Sequence, residues 1–355
     1  MSRFLSGLYA SLKEYVPGEQ PQDKKYVKLN TNESPFPPSP GVVSAVTDAE
    51  VRRLCLYSDP ESKLLKQKLA ENYSLKSENV FVANGSDDIL NFAFMAFARE
   101  NGAAFPDISY GFYPVFADLY NIDAKIIPLE NDFSIDAKKY FGIGRMVVIA
   151  NPNAPTGKVI SKSDIEEIIS SNSDNVVLID EAYVDFGGES VVDLVEKYDN
   201  LLVVQTFSKS RSMAGARLGF AFANEELIKD LEKIKYSTNP YNLNRLTQLM
   251  GVKALEEQEY YDNNCRLIAE NREFTVSELQ KIGFTVIPSR ANFIFAKHEN
   301  ISGERIYLKL KDKGVLVRHF TAERIKDHNR ITIGTREQME ILIEKLIEII
   351  REEEA

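Results

Sequence analysis

Four polar clusters stand directly after short apolar runs, and their residue types could do chemistry together. Asn84-Gly85-Ser86-Asp87-Asp88 follows Val80-Phe81-Val82-Ala83, and Asn151-Pro152-Asn153-Ala154-Pro155-Thr156-Gly157 follows Arg145 to Ala150. Asp180-Glu181-Ala182-Tyr183 follows Val176 to Ile179, and Thr206-Phe207-Ser208-Lys209 follows Leu201 to Gln205. The first cluster opens a helical pattern from Asp88 to Ala98. The free N–H groups and positive dipole end of a helix start suit a phosphate; a plain side-chain cap by Ser86 or Asp87 is the competing reading. Ser208, Lys209, Ser210, Arg211 and Arg217 are a second anion-friendly set, with a solvated basic loop as the plain alternative. Asp180 ends a wholly apolar run, where an ionised carboxylate is costly without a cationic partner. Lys209 is an amine that can form a Schiff base when its pKa is lowered.

A carboxylate, a lysine and a phosphate cradle on one rim are the parts that hold pyridoxal phosphate (PLP). The amine takes the aldehyde, the carboxylate pairs with the pyridinium nitrogen, and the cradle anchors the phosphate. Other chemistries fit less well. There is no Walker A, and Gly142-Ile143-Gly144 lacks the third glycine of a dinucleotide fingerprint and precedes its strand. Two cysteines, Cys55 and Cys265, exclude a disulfide framework or a four-cysteine zinc site and fit a reducing compartment. Three histidines, with no HExxH, argue against a zinc hydrolase or a histidine-based triad, so no metal is expected.

The elements that must position these clusters follow from the pattern. The 355 residues are 44% hydrophobic and 27% charged, enough for a real core. Lysine and arginine number 43 against 53 acids, a net charge of −10, which argues against nucleic acid or an anionic membrane as partner. The longest strongly apolar stretch, Phe92 to Ala98, is too short to span a bilayer, and no apolar signal core precedes Lys13, so a soluble cytoplasmic protein is expected. Apolar runs alternate with helical patterns such as Ser163 to Ser171, which predicts a parallel sheet covered on both faces. Ligands bind outside the carboxyl ends of such strands, where all four clusters fall. Pro17 to Pro40 is too rich in proline for helix or central strand and reads as an extended arm. Leu243 to Gln280 reads as long helices. Thr285 to Ile287, Asn292 to Phe295, Val315 to Val317 and Arg330 to Ile333 read as strands before a helix from Thr335 to Arg351. The expected division is an arm (1–44) packing on the small domain, a large domain (45–250) and a small α+β domain (251–355).

Nine motifs in order then carry a resemblance. They are Tyr15-Val16-Pro17-Gly18, Leu29-Asn30-Thr31-Asn32-Glu33, Tyr57-Ser58-Asp59-Pro60, Asn84-Gly85-Ser86-Asp87, Ser109-Tyr110-Gly111, Asn153-Ala154-Pro155-Thr156-Gly157, Asp180-Glu181-Ala182-Tyr183, Ser208-Lys209 with Arg217, and Arg330-Ile331-Thr332-Ile333-Gly334-Thr335-Arg336. With them the chain resembles the fold-type-I PLP-dependent aminotransferases of the class I/II superfamily, and within these the histidinol-phosphate aminotransferases. The resemblance implies an α/β fold: a large domain whose mostly parallel sheet is sandwiched by helices, plus a smaller α+β domain. It implies amino-group exchange between histidinol phosphate and 2-oxoglutarate in histidine biosynthesis. An aromatic amino acid aminotransferase and a threonine-phosphate decarboxylase are the alternatives.

Residue roles are implied in the same way. Lys209 attaches the cofactor and moves the substrate proton, Asp180 keeps the pyridine nitrogen protonated, and Tyr183 donates to the cofactor's phenolic oxygen. Tyr110 stacks on the ring. Gly85, Ser86, Asp87, Ser208 and Arg217 hold the phosphate, joined by Tyr57 from the neighbouring subunit of a homodimer. Arg330, Arg318, Tyr15 and Asn32 line the substrate end. The chain departs from the family pattern at Ala154, where an asparagine is common, so that either Asn153 takes over its contact or Tyr183 carries it alone.

Overall fold

Valine, isoleucine, leucine and phenylalanine runs bounded by polar turns become strands because a pleated, doubly covered surface suits branched and aromatic side chains. The structure is a computed structural model and describes residues 2–354. In chain order its strands are β1 (Val27–Lys28), β2 (Val80–Ala83), β3 (Ala103–Pro106), β4 (Ala124–Ile127), β5 (Met146–Ala150), β6 (Val177–Asp180), β7 (Leu201–Thr206) and β8 (Gly219–Ala223). They continue with β9 (Phe284–Ile287), β10 (Phe293–His298), β11 (Val315–Leu316), β12 (Arg318–His319) and β13 (Asn329–Thr332).

Seven strands form one sheet in the order β2-β8-β7-β6-β5-β3-β4. All run parallel except β8, which is antiparallel to both β2 and β7. Alternate side chains feed opposite layers, as the two-residue period of a strand requires. Val147, Ile149, Val177, Ile179 and Val203 pack toward Leu65, Ile165 and Val252, whereas Val148, Leu178, Leu202 and Val204 pack toward Ile89, Phe94 and Leu231. Strands β5, β6 and β7 are buried at every residue; β4, at the edge, is largely exposed.

A second sheet, β12-β13-β10-β9, is antiparallel. It shares a core with the helices Gln258–Lys281, Gly303–Asp312 and Arg336–Glu354. The arm joins this part of the molecule. β1 pairs parallel with β11, Leu29 N–H donates to Leu316 O, and Leu29 O accepts from Thr332 N–H. Glu19 accepts hydrogen bonds from Tyr307 and Lys311.

Three strands of the seven-stranded sheet, β3, β4 and β8, are absent from the sequence reading. Ala103-Ala104-Phe105-Pro106 and Gly219-Phe220-Ala221-Phe222-Ala223 are poor in β-branched residues, and β4 is a half-wet edge. The helix expected from Asp88 begins at Ser86. Its cap is Gly85, at φ +89°, and no side chain makes the capping bond. Among the described residues no helix is long and apolar enough to cross a membrane.

Candidate active site

The carboxyl ends of β2, β5, β6 and β7 meet at a cavity. Ser86, Asp87, Tyr110, Ala154, Asp180, Tyr183, Ser208, Lys209 and Arg217 are among its walls. Four of the sequence clusters therefore do converge on one rim.

Asp180 is the last residue of β6 and is buried. Its Oδ2 accepts from the Tyr113 hydroxyl at 2.8 Å and its Oδ1 from Ala182 N–H at 3.2 Å. Burial pushes the carboxyl up to about 6, opposed by those two donors. Among the described residues no lysine or arginine forms a salt bridge with Asp180, so no protein cation competes for the carboxylate. Tyr113, the side chain that donates to Asp180, is absent from the sequence reading. It sits inside the helix Phe112–Tyr120, three residues after Tyr110, and nothing in its spacing points at a residue 67 positions away.

The anion cradle rests on two close approaches, one of a side chain to Gly85 and one between backbones at Gly219. A Cβ on Gly85 would stand 2.5 Å from Arg217 Nη2, and one on Gly219 would stand 2.3 Å from the Gly85 carbonyl carbon and 2.4 Å from Ser86 N. β8 thus presses Gly219 against the turn that opens the helix Ser86–Phe97. Arg217, itself in the left-handed region at φ +54°, reaches Asp87 Oδ2 at 3.0 Å and Ser208 Oγ at 3.4 Å. Asp87 Oδ1 accepts from the Tyr110 hydroxyl at 2.7 Å, and burial keeps that phenol well above its ordinary pKa.

Lys209 follows β7, with Nζ 3.3 Å from Thr31 O and 5.7 Å from the centre of the Tyr183 ring. The next two residues, Ser210 and Arg211, both donate to Asp185 and hold this turn down. The Tyr183 hydroxyl accepts from Asn32 Nδ2 at 3.0 Å. Asn153 does not reach the cavity. Its Nδ2 donates to Ile108 O and Thr156 Oγ1, both at 3.0 Å, and its Oδ1 accepts from Ser109 at 2.8 Å, so its amide is spent on the loop while the Ala154 side lines the wall.

A wider cleft continues outward past Tyr183 and Lys209, lined in part by Tyr15, Asn32, Arg318 and Arg330. Tyr15 stacks on Phe112 at 4.3 Å. Arg330 is held by Asn30 O at 2.9 Å, and its buried Nε has no partner. Arg318 donates to Val16 O and Pro17 O. Among the described residues neither arginine pairs with a carboxylate. Tyr57 lies elsewhere: 79% exposed, it stacks on Tyr241 at 4.5 Å and takes no part in this cavity within one chain.

Known proteins resemble the chain along its whole length. The chain is 50% identical to the histidinol-phosphate aminotransferase of Brachyspira hyodysenteriae, over 99% of this chain and 100% of that one. It is 47% identical to the histidinol-phosphate aminotransferase of Clostridium botulinum strain Kyoto, over 99% of both chains. The crystal structure of the Sinorhizobium meliloti histidinol-phosphate aminotransferase, solved with pyridoxal-5'-phosphate, has the same fold, with a TM-score of 0.88, 99% coverage of both chains and 21% identity. Residues 24–346 match the family of class I and II aminotransferases, from the arm to the last helix. With its cavity on the rim of a mostly parallel sheet and its relatives similar along their whole length, the chain belongs to the aminotransferase class I and II family.

Proposed function

We propose that the chain is a PLP-dependent histidinol-phosphate aminotransferase, exchanging an amino group between histidinol phosphate and 2-oxoglutarate. One observation carries the reading: the buried Asp180 carboxylate, without a cation of its own, shares a cavity with a lysine amine and a cradle of Ser86, Ser208 and Arg217. That set fits PLP. A carboxylate desolvated to a pKa of about 6 awaits a positive partner such as a pyridinium nitrogen, and the backbone contact of Gly219 with Gly85 and Ser86 leaves no room for a side chain on Gly219 behind the cradle. Identity of 50% to a full-length relative of that activity favours this substrate over the aromatic and decarboxylase alternatives.

Bound there, PLP supplies an electron sink for the charge left when a substrate Cα–H is broken. The protein supplies the rest. Lys209 Nζ holds the cofactor and takes and returns the Cα proton. Asp180 keeps the sink charged, Tyr183 donates a hydrogen bond into the cavity, and Tyr110 walls it. Ser86, Asp87, Ser208 and Arg217 fix the phosphate end. Arg330 and Arg318 present guanidinium forks to a carboxylate or a phosphate, which suits an enzyme whose two substrates carry different anions. Tyr15 closes the cleft beside them. We further propose a cytoplasmic homodimer in which Tyr57 serves the partner's cradle, and a division into the arm 1–44, a large domain 45–250 and a small domain 251–355.

The test is a set of half-reactions followed by cofactor absorbance: glutamate, histidinol phosphate, histidinol, phenylalanine and threonine phosphate. Glutamate and histidinol phosphate should convert the cofactor to its amino form. Histidinol should react about 100-fold less efficiently, since roughly 1.4 kcal/mol is lost per tenfold and a buried charged contact is deleted. Lys209→Ala should carry no borohydride-reducible link to PLP. Equal efficiency for histidinol and its phosphate, or faster reaction with phenylalanine, would overturn the assignment of substrate.

A further inference from the structure

Tyr183 is the end of a buried hydrogen-bonded chain of three residues, Thr332, Asn32 and Tyr183, drawn from three parts of the molecule. Asn32, in the arm, lies in the left-handed region at φ +57° and is 1% exposed. Its backbone N–H donates to Thr332 Oγ1 at 2.9 Å, and Thr332 Oγ1 donates back to Asn32 Oδ1 at 3.1 Å. Its Nδ2 donates to the Tyr183 hydroxyl at 3.0 Å, and its backbone O accepts from Asn292 Nδ2 at 3.0 Å. Thr332 belongs to β13 of the second sheet, and Tyr183 follows β6 of the first.

The order of donors decides which way the chain points. The Thr332 oxygen already accepts from a backbone N–H, and its one proton goes to Oδ1. With Oδ1 so occupied, the amide turns its N–H₂ toward Tyr183. The phenol oxygen is then an acceptor on the Asn32 side. Among the described residues its own proton has no protein acceptor, and the side chain lines the cavity.

We propose that Thr332 and Asn32 are positioning residues that aim the Tyr183 proton into the cavity. The inference rests on reading the cavity as the PLP site, and it gives Asn32 a role other than the direct substrate contact expected from the motif. Loss of the Thr332 hydroxyl frees the amide to rotate. Oδ1 can then face Tyr183 and draw its proton away from the cavity. A carboxylate at position 32 does the same without rotation, since it only accepts. An acceptor at position 32 would also hold the phenol in a charge-assisted or neutral bond that competes with any ligand.

The experiment compares Thr332→Val, Thr332→Ser and Asn32→Asp with the parent enzyme, measuring PLP affinity of the apoprotein and the pH titration of bound PLP absorbance without substrate. Thr332→Val and Asn32→Asp should each bind PLP roughly tenfold more weakly, the size of one lost hydrogen bond. Their absorbance transition should move to higher pH. Thr332→Ser, which keeps the hydroxyl, should match the parent. In a Tyr183→Phe background neither substitution should add to the effect, because the phenol they act through is gone. Parent-like binding and titration in Thr332→Val would overturn the proposal, as would effects that persist undiminished in Tyr183→Phe. Failure of the parent chain itself to bind PLP would instead overturn the cofactor reading, and this proposal with it.

Discussion

A phenol and one backbone N–H are what Asp180 has in place of a cation. Burial raises its pKa and these donors hold it down to about 6. The sign of a perturbation follows. Tyr113→Phe removes a donor to the ionised form, so the carboxyl rises further and protonates at higher pH. A hydrogen bond to a charged group contributes about 1.5–3 kcal/mol, equivalent to about 1–2 pH units. The apoprotein carrying Tyr113→Phe should lose PLP affinity more severely near pH 6 than at about pH 8, as equilibrium binding across that range would show. An unchanged pH profile would separate Tyr113 from the charge of Asp180. At this scale the motifs exposed the groups that face the cavity and not those behind them. Lys209, Asp180 and Arg217 are chemically distinctive at strand ends. Tyr113 is an aromatic residue on an apolar helix, and its partner is settled only by how that helix lies on the sheet.

Among elements, β8 explains most of what the sequence concealed. Its neighbours are β-branched and legible from composition, whereas Gly-Phe-Ala-Phe-Ala is not. Its antiparallel course carries Gly219 against the turn at Gly85 and Ser86, so the strand shapes the anion cradle without offering it a side chain. Gly219→Ala would put a Cβ 2.3–2.4 Å from backbone atoms that cannot rotate away. PLP affinity should fall at least about tenfold, an extra methyl in a tight site costing about 1–3 kcal/mol. Gly215→Ala, where nothing lies within 4 Å, is the control and should bind as the parent does. Strand ends and polar turns are readable where they carry motifs; closeness between two backbones leaves only a glycine, which has many other uses.

For the whole molecule, the short stretch from 54 to 64 leaves Leu54, Leu56, Tyr57 and Leu64 between 52% and 79% exposed. Such side chains are costly to leave wet and fit the proposed subunit interface. If Tyr57 serves the partner's site, mixing Lys209→Ala chains with Tyr57→Phe chains should restore activity. In a mixed dimer one site carries both defects and the other neither. Activity that stays at the level of the unmixed variants despite proven chain exchange would put Tyr57 in its own chain's site.

The arm's path has a consequence for covalent continuity. Val16 and Pro17 hold Arg318, Glu19 holds Lys311, and β1 lies on β11, so the arm is tied down on both sides of the exposed pair Lys24-Lys25. One tryptic cut between those lysines would leave Asn32 and Thr31 in place beside Tyr183 and Lys209, while the piece bearing Tyr15 would be kept only by side-chain and carbonyl contacts. The nicked protein should go on binding PLP after gel filtration has stripped away the short fragment, yet discriminate its amino donors poorly. A single peptide bond would thus divide the cofactor's cavity from the wall that judges the substrate.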